Sequence, residues 1–175
     1  MVLEKIPTFS EVQTWANNNL VSSVNGNTGD VTVGEVYING YQSITLSEVD
    51  FGTLANCWET IEVNSGEFTI VDNNTIEVNE AGVYSVDYTC SFRQFTGNDR
   101  TIMHARVLIN GAGNFAHTGS TCYIRNTDDG NRNSVSNHSM HSLNAGDTIE
   151  VSVDRGSGTT EHDLTDASCA VQKIS

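Results

Sequence analysis

Apolar and polar side chains alternate with a two-residue period through the middle of the chain. The alternation is clearest in one stretch, whose apolar positions are Tyr84, Val86, Tyr88, Cys90 and Phe92. A period of two is that of a β-strand with one face in a core and the other face outside it. The pattern therefore predicts a strand here. Gly82, just ahead of it, indicates a close approach where a side chain would collide.

The next segment, residues 102–109, is apolar on most of both faces. This composition predicts a strand that is covered on both sides. Polar turn residues at 96–100 precede it, and Asn110-Gly111, a strong turn signal, follows it.

Shorter strands are predicted on either side of this pair, with no helical pattern between them. They are residues 36–38, 43–46, 60–63, 67–71, 75–78, 120–124, 135–143, 148–153 and 168–174. Turn signals such as Asn39-Gly40 separate them. Roughly ten short strands with frequent turns are typical of an all-β sandwich or barrel.

Residues 1–20 follow a different pattern. Thr8 to Glu11 fit a capping box, and Phe9, Val12 and Trp15 then fall along one side of a short helix. A helix of about three turns is marginal alone, so we expect its aromatic stripe to dock on something. Docking on the chain's own domain and attachment to a larger assembly both stay open.

Residues 21–33 contain two short alternating pieces around Asn-Gly and Thr-Gly-Asp turns, which predict a small hairpin or extended clasp. The run from Val24 to Val31 resembles a connector of fibre and other appendage proteins of tailed viruses, although Asn27 replaces the customary lysine. In those proteins it precedes a trimeric distal module. The resemblance, taken with the helix, implies a virion-attachment segment that includes Phe9, Val12, Trp15, Asn25, Gly26, Gly29 and Asp30.

A second resemblance covers residues 57–174. The elements that carry it are Trp58, Phe68-Thr-Ile70, Ala81-Gly-Val-Tyr84, Arg106 to Gly111, Leu143 to Val153 and Val171 to Ile174. In order and spacing they resemble the tumour necrosis factor and complement globular-head superfamily, which forms trimers of jelly rolls with one sheet near the threefold axis. The resemblance implies a trimer interface at Tyr84, Tyr88, Phe92, Val171 and Ile174. The polar run from Ser134 to Ser142 departs from the aromatic inner sheet of that family.

The charge balance excludes one class of partner. The formal net charge is −14, from 22 acidic and 8 basic residues. Without a basic patch to displace counterions, a nucleic-acid phosphate backbone is not expected as a ligand. The acid-rich, lysine-poor composition resembles that of proteins from extreme halophiles, although an ordinary acidic protein is an equal alternative.

Apolar runs never exceed three residues, so we expect no membrane insertion and no signal-peptide core, and we expect synthesis in the cytoplasm. The four cysteines, Cys57, Cys90, Cys122 and Cys169, lack the close pairs of zinc or redox motifs. Buried free thiols are the first interpretation, and a disulfide is the second.

Candidate chemistry is sparse. His138 and His141 are three residues apart, which on a strand places them on opposite faces and disfavours a single-chain zinc site, although a threefold axis could gather one histidine per chain. No Gly-x-Ser-x-Gly motif organises the many serines, so we expect no catalytic residues and no enzyme. Asp128, Asp129 and Asp147 offer oxygen ligands for Ca²⁺, or else serve only as turn residues. No other cofactor is expected.

Together these patterns and resemblances predict an attachment segment, residues 1–40, followed by an all-β jelly-roll head, residues 41–175. We expect a homotrimeric structural protein of a virion surface, such as a head fibre, capsid decoration, turret or tail-tip module. Its partners would be itself, other capsid or tail proteins, and a host surface glycan or protein. The alternative is a secreted or surface lectin-like module that binds carbohydrate.

Overall fold

The computed structural model describes residues 23–24, 27–28, 36–43, 45–47, 49, 52–95, 100–113, 115–125, 131–158 and 161–175. The chain divides into two compact units, Met1–Gly34 and Glu35–Ser175. The predicted N-terminal helix and the predicted attachment residues Phe9, Val12, Trp15, Asn25, Gly26, Gly29 and Asp30 lie outside the described residues.

The first unit contains a small hairpin. Strand β1 (Ser23–Val24) pairs antiparallel with β2 (Asn27–Thr28), so that Val24 faces Asn27. Two residues separate the strands in the sequence, the spacing of the shortest hairpin turns. The hairpin predicted for this part of the chain is confirmed over these four residues.

The second unit is built from eleven further strands and one helical turn among the described residues. They are β3 (Tyr37–Tyr41), β4 (Thr53–Leu54), β5 (Thr60–Asn64), β6 (Phe68–Ile70), β7 (Thr75–Val78), β8 (Gly82–Gln94), β9 (Thr101–Ile109), α1 (Phe115–Thr118), β10 (Gly119–Ile124), β11 (Arg132–Leu143), β12 (Thr148–Ser157) and β13 (His162–Lys173). The predicted domain boundary at residue 40 falls inside β3, which pairs with β13.

The strands form two antiparallel sheets. The five-stranded sheet has the order β11-β8-β13-β3-β5. The six-stranded sheet has the order β10-β9-β12-β7-β6, with β4 also paired to β12. Strands that follow one another in the sequence often belong to different sheets, as β8 and β9 do, and this crossing between layers is what a jelly roll requires.

The core lies between the two sheets. The five alternating apolar residues of β8 are all 3 % exposed or less, which confirms the predicted strand and its inward face. They oppose Met103, Ala105 and Val107 of β9 and their neighbours on β12, also buried. Strand β9 is fully buried on that face alone; its other face, including Ile102 and Leu108, is half-buried. The prediction that both of its faces are covered was therefore too strong.

Two glycine-dependent predictions are confirmed. A Cβ on Gly82 would collide with the carbonyl oxygen of Ser175 and with the Lys173 side chain. Asn110 and Gly111 both have positive φ, at 53° and 72°, and Ile109 and Ala112 exchange backbone hydrogen bonds around them. This is the geometry of a tight turn that Asn-Gly favours.

All four cysteines are buried free thiols. Burial raises the pKa of Cys57 to about 12 and that of Cys122 to about 11. The structure therefore agrees with the first interpretation of the cysteines and shows no disulfide. Within the described part of the chain, no helix is long and apolar enough to cross a membrane.

Candidate functional site

The central part of the outward side of the five-stranded sheet carries small, mostly uncharged side chains in registered rows. Ser136, Thr89 and Ser168 are directly opposite one another on β11, β8 and β13, and His138, Asp87 and Ala170 form the next row. We call this surface the polar face: Asn39, Asp87, Thr89, Ser136, His138, Ser168 and Ala170. Only Asp87 and His138 of this set are ionisable, in a chain with 22 acidic residues.

The polar face is concave. All of its residues line an open depression of about 320 Å³ between β11, β8 and β13. The depression forms because most of these side chains are short and extend from the backbone by little more than a hydroxyl or a methyl group. A surface of this kind can be approached closely by another backbone.

Asp87 and His138 form an ion-pair geometry across the polar face. His138 Nδ1 lies 2.8 Å from Asp87 Oδ1, and both side chains are more than half exposed. Ser85 Oγ lies 3.2 Å from Asp87 Oδ2 and 3.4 Å from His138 Nδ1. Both neighbours therefore contact the same nitrogen of the His138 imidazole, Nδ1.

This grouping differs from a nucleophilic triad. In a triad the carboxylate and the serine hydroxyl bond opposite nitrogens of the imidazole, so that a proton can pass from one to the other. Here Asp87 and Ser85 both approach Nδ1. The arrangement orients the ring and does not activate a nucleophile.

The side chains predicted for a trimer contact are mostly inside the subunit. Tyr84, Tyr88, Phe92 and Val171 are buried between the sheets, and only Ile174 is exposed, at 53 %. The other sheet covers the apolar face of β8, so this face has no side-chain surface left to offer a second copy. These four side chains are therefore core residues of one subunit, and the trimer itself stays a prediction.

The terminal strands of both sheets lie beside the polar face. Strands β10 and β11 are each at the end of their sheet. They are joined by Asn137, whose amide donates to the carbonyl of Gly119 at 2.8 Å, and by Asn133, whose amide donates to that of Tyr123 at the same distance. Neither strand contains lysine or proline, the residues that commonly protect a free edge.

His141 lies on the other face of β11 from His138, as predicted. It lines a separate depression of about 350 Å³ with His117 and Thr118 of α1 and Ile109 at the end of β9. Its Nε2 is 2.9 Å from Ser139 Oγ, and burial lowers the pKa of the imidazole. A neutral ring is therefore favoured at this position.

Asp147 serves its own turn. Its carboxylate accepts from the Asn110 amide at 2.8 Å and from the Asn144 backbone N–H at 2.7 Å, and these hydrogen bonds lower its pKa. Asp147 follows the end of the 12-residue β11. Arg125 and Asn131, which flank the stretch that contains Asp128 and Asp129, lie near the beginning of that strand. Asp128 and Asp129 are outside the described residues. Among those described, no group of three or more His, Cys, Asp or Glu side chains could hold a metal ion.

Most of this site was not predicted. The sequence shows that residues 134–142 are unusually polar, but it does not show which residues of other strands lie beside them. The signal was present in the outward positions of β8 and β13, which are small like those of β11. The strand order that joins them is a property of the fold.

No family model matches the sequence, and no curated protein matches it either. Solved structures do. The chain is similar to the globular domain of zebrafish complement 1qA, with 10 % identity, a TM-score of 0.50, and coverage of 79 % of this chain and 97 % of that one. It is similar to Eiger TNF from S. frugiperda, with 16 % identity, a TM-score of 0.50, and coverage of 81 % and 93 %.

Murine APRIL gives a TM-score of 0.54 at 16 % identity, with 81 % of this chain and 100 % of that one covered. At such identities the likeness concerns the fold. The all-β jelly-roll prediction is confirmed: residues 35–175 have the two-sheet jelly roll of C1q-like and TNF-like domains.

Proposed function

We propose that this chain is a non-enzymatic structural surface protein whose jelly-roll unit assembles as a homotrimer. One observation carries the proposal. The polar face of this strongly acidic protein carries a single carboxylate, that of Asp87, which His138 approaches at 2.8 Å, and it lies beside the terminal strands of both sheets. Depletion of charged residues marks the centre of protein interfaces.

The contact joins two different surfaces of neighbouring copies. The half of the β10–β11 edge that lies away from Arg132, Gly119 on β10 and residues 137–143 on β11, packs against the polar face of the next copy. Such a head-to-tail contact forms a ring when the rotation between neighbouring copies closes. Small side chains let the edge approach closely, and the contact covers backbone groups at the ends of the two sheets. The resemblance to trimeric jelly rolls supports a ring of three.

The place we propose for the trimer is the surface of a virus particle, assembled in the host cytoplasm. The unit Met1–Gly34 fastens it to capsid or tail proteins, and the jelly-roll heads face the medium and bind the host surface. The connector-like sequence from Val24 to Val31 and the hairpin of β1 and β2 support this placement. The acidic, lysine-poor composition suits a host from concentrated brine, where salt screens repulsion between heads.

A lectin-like module without a particle is the second candidate. The depression on the polar face favours it, because Asn39, Asp87 and the surrounding hydroxyls could bind sugar hydroxyls if no neighbour covered them. The two candidates use the same surface and therefore exclude each other.

Mass in solution separates them. Light scattering on the full chain should give three times the 19.0 kDa of one copy. A monomer that binds neutral sugars would overturn the trimer and support the lectin. Deletion of residues 1–33 should leave the trimer intact while abolishing incorporation into particles; heads that still decorate particles would refute the attachment role.

A further inference from the structure

Arginine is concentrated at one end of the jelly roll. The 8 basic residues are Lys5, Lys173 and six arginines. Strands β8 and β10 end, and strands β9 and β11 begin, at the same end of the jelly roll. Strand β8 ends at Gln94, and the next strand, β9, begins at Thr101, which pairs with Ile124 at the end of β10. Strand β11 begins at Arg132, which pairs with the end of β8. We call this region the arginine end, and its arginines are Arg93, Arg100, Arg125, Arg132 and Arg155.

The remaining described cations are engaged elsewhere. Arg106 is paired with Asp154 at 3.2 Å, and Lys173 is paired with Glu80 at 2.8 Å. At the arginine end, by contrast, Arg100, Arg125 and Arg132 are exposed, and none has an ion-pair partner in the described part of the chain. Free guanidinium groups are fitted to bind carboxylate, sulfate or phosphate in a bidentate manner.

A built depression accompanies these cations. Its volume is about 350 Å³, at the lower end of small-molecule sites, and its polar lining includes Arg132, Asn133, Ser134, Thr165 and Asp166. Asn133 and Thr165 are fixed by hydrogen bonds to the backbone carbonyls of Tyr123 and Ser91, at 2.8 and 3.1 Å. The hollow therefore offers a cation, a carboxylate and a hydroxyl on a rigid frame.

Exposed aromatic rings complete the surface. Phe95 is 50 % exposed with the Arg93 guanidinium 4.2 Å from its ring centre, and Tyr123 on β10 is 44 % exposed. Aromatic rings offer flat apolar area beside polar groups. The combination suits a ligand with both hydroxyl groups and apolar C–H faces.

The arginine end is not a net-positive surface. Glu161, Asp163 and Asp166 lie at the same end. Duplex nucleic acid and anionic membranes are attracted by dense positive charge, which a chain of net charge −14 does not present. Separate arginines among carboxylates and hydroxyls instead match a sugar that carries one acidic group.

We propose that the arginine end binds an acidic cell-surface polysaccharide, with Arg132 on the sugar carboxylate or sulfate and Asp166 accepting from sugar hydroxyls. This inference rests on the proposed function, in which the heads meet a host. Val36, the first described residue of the jelly roll, bonds to Lys173 at the end of β13, whereas the arginine end lies at its beginning. The entry of the chain and the binding end are thus at opposite ends.

Threefold symmetry strengthens the site. A rotation about one axis keeps equivalent surfaces at the same height along that axis, so three arginine ends point the same way. A polysaccharide repeats its acidic sugar, and three weak sites on one rigid head then act through effective concentration.

The test measures binding of the full chain to polygalacturonate and dextran sulfate, against neutral dextran, duplex DNA and phosphatidylglycerol vesicles. We expect at least one acidic polysaccharide to bind, and Arg132→Gln to weaken it by about tenfold or more, whereas Lys173→Gln, with the same charge change at the other end, leaves it unchanged. Asp166→Asn should also weaken binding, although simple charge attraction would predict tighter binding.

Several results would overturn the inference: no binding to either acidic polysaccharide, stronger binding to DNA or vesicles, or equal losses in the Arg132 and Lys173 variants. Light scattering on the same samples keeps the two proposals apart. A trimer that binds no acidic polysaccharide would refute the ligand proposal and leave the assembly proposal standing. A monomer that binds an acidic polysaccharide would refute the assembly proposal and leave the ligand proposal standing.

Discussion

The Tyr88 hydroxyl crosses the sandwich and donates to the backbone carbonyl of Ala105 in the other sheet, at 2.7 Å. The same hydroxyl lies 3.0 Å from the carbonyl of Thr118 in α1. One side chain of β8 therefore ties the five-stranded sheet to β9 and to the helical turn after it. Burial raises its pKa, because the phenolate would be far from water.

Tyr88→Phe should lower the free energy of unfolding by about 1 to 2 kcal/mol, because the buried hydrogen bond to Ala105 is lost and a buried carbonyl loses its donor. Urea unfolding of the variant and the parent measures the change. Tyr123→Phe removes an exposed hydroxyl and should change stability little. A Tyr88 variant with parental stability but altered mass in solution would place Tyr88 at a subunit contact instead.

Tyr88 also shows what a sequence can tell about such a residue. The two-residue period correctly placed Tyr84, Tyr88 and Phe92 on the apolar face of one strand. It could not say what covers that face, because a second sheet of the same chain and a neighbouring chain bury an apolar strand equally well. The long-range pairing of strands decides the question, and here the covering layer is β9 and β12.

Other errors have local causes. Strand β13 was predicted only from residue 168, although it begins at His162. The register shifts between Leu164 and Asp166, and such a bulge breaks the period on which the prediction depended. The predicted strand at 43–46 is reduced, among its described residues, to one bridge between Leu46 and Leu164. Short segments like these contain too few residues for periodicity to decide.

Thr89→Arg tests the proposed trimer contact. Thr89 is exposed between Ser136 and Ser168 at the centre of the polar face, where a long cation would block the close approach of a second copy. We expect a monomer by light scattering that keeps the parent's circular dichroism spectrum and melts at a lower temperature, because association no longer stabilises the fold. Thr69→Arg, the same change on exposed β6 of the other sheet, should remain a trimer. Identical masses for both variants would remove the polar face from the contact.

The four cysteine thiols should not react with an alkylating agent in the folded protein. All four are buried thiols, and the raised pKa of Cys57, about 12, and of Cys122, about 11, keeps those two protonated at pH 8. Because the thiolate is the reactive form, iodoacetamide should add nothing to the native chain. After unfolding without reductant, mass spectrometry should show four additions. Two additions would reveal a disulfide.

Acid should destabilise the fold through His141. Burial holds its pKa in the folded state below the ordinary value of 6.5, so the unfolded chain binds more protons once the pH falls below that value. The contribution of His141 is therefore complete above pH 6.5 and declines as the pH drops toward the lower folded-state pKa. His141→Gln keeps a partner for Ser139 without a titrating group, and its urea midpoint should fall less between pH 7.5 and pH 5 than the parent's. Equal acid losses in the parent and the His141 variant would assign the effect to other groups.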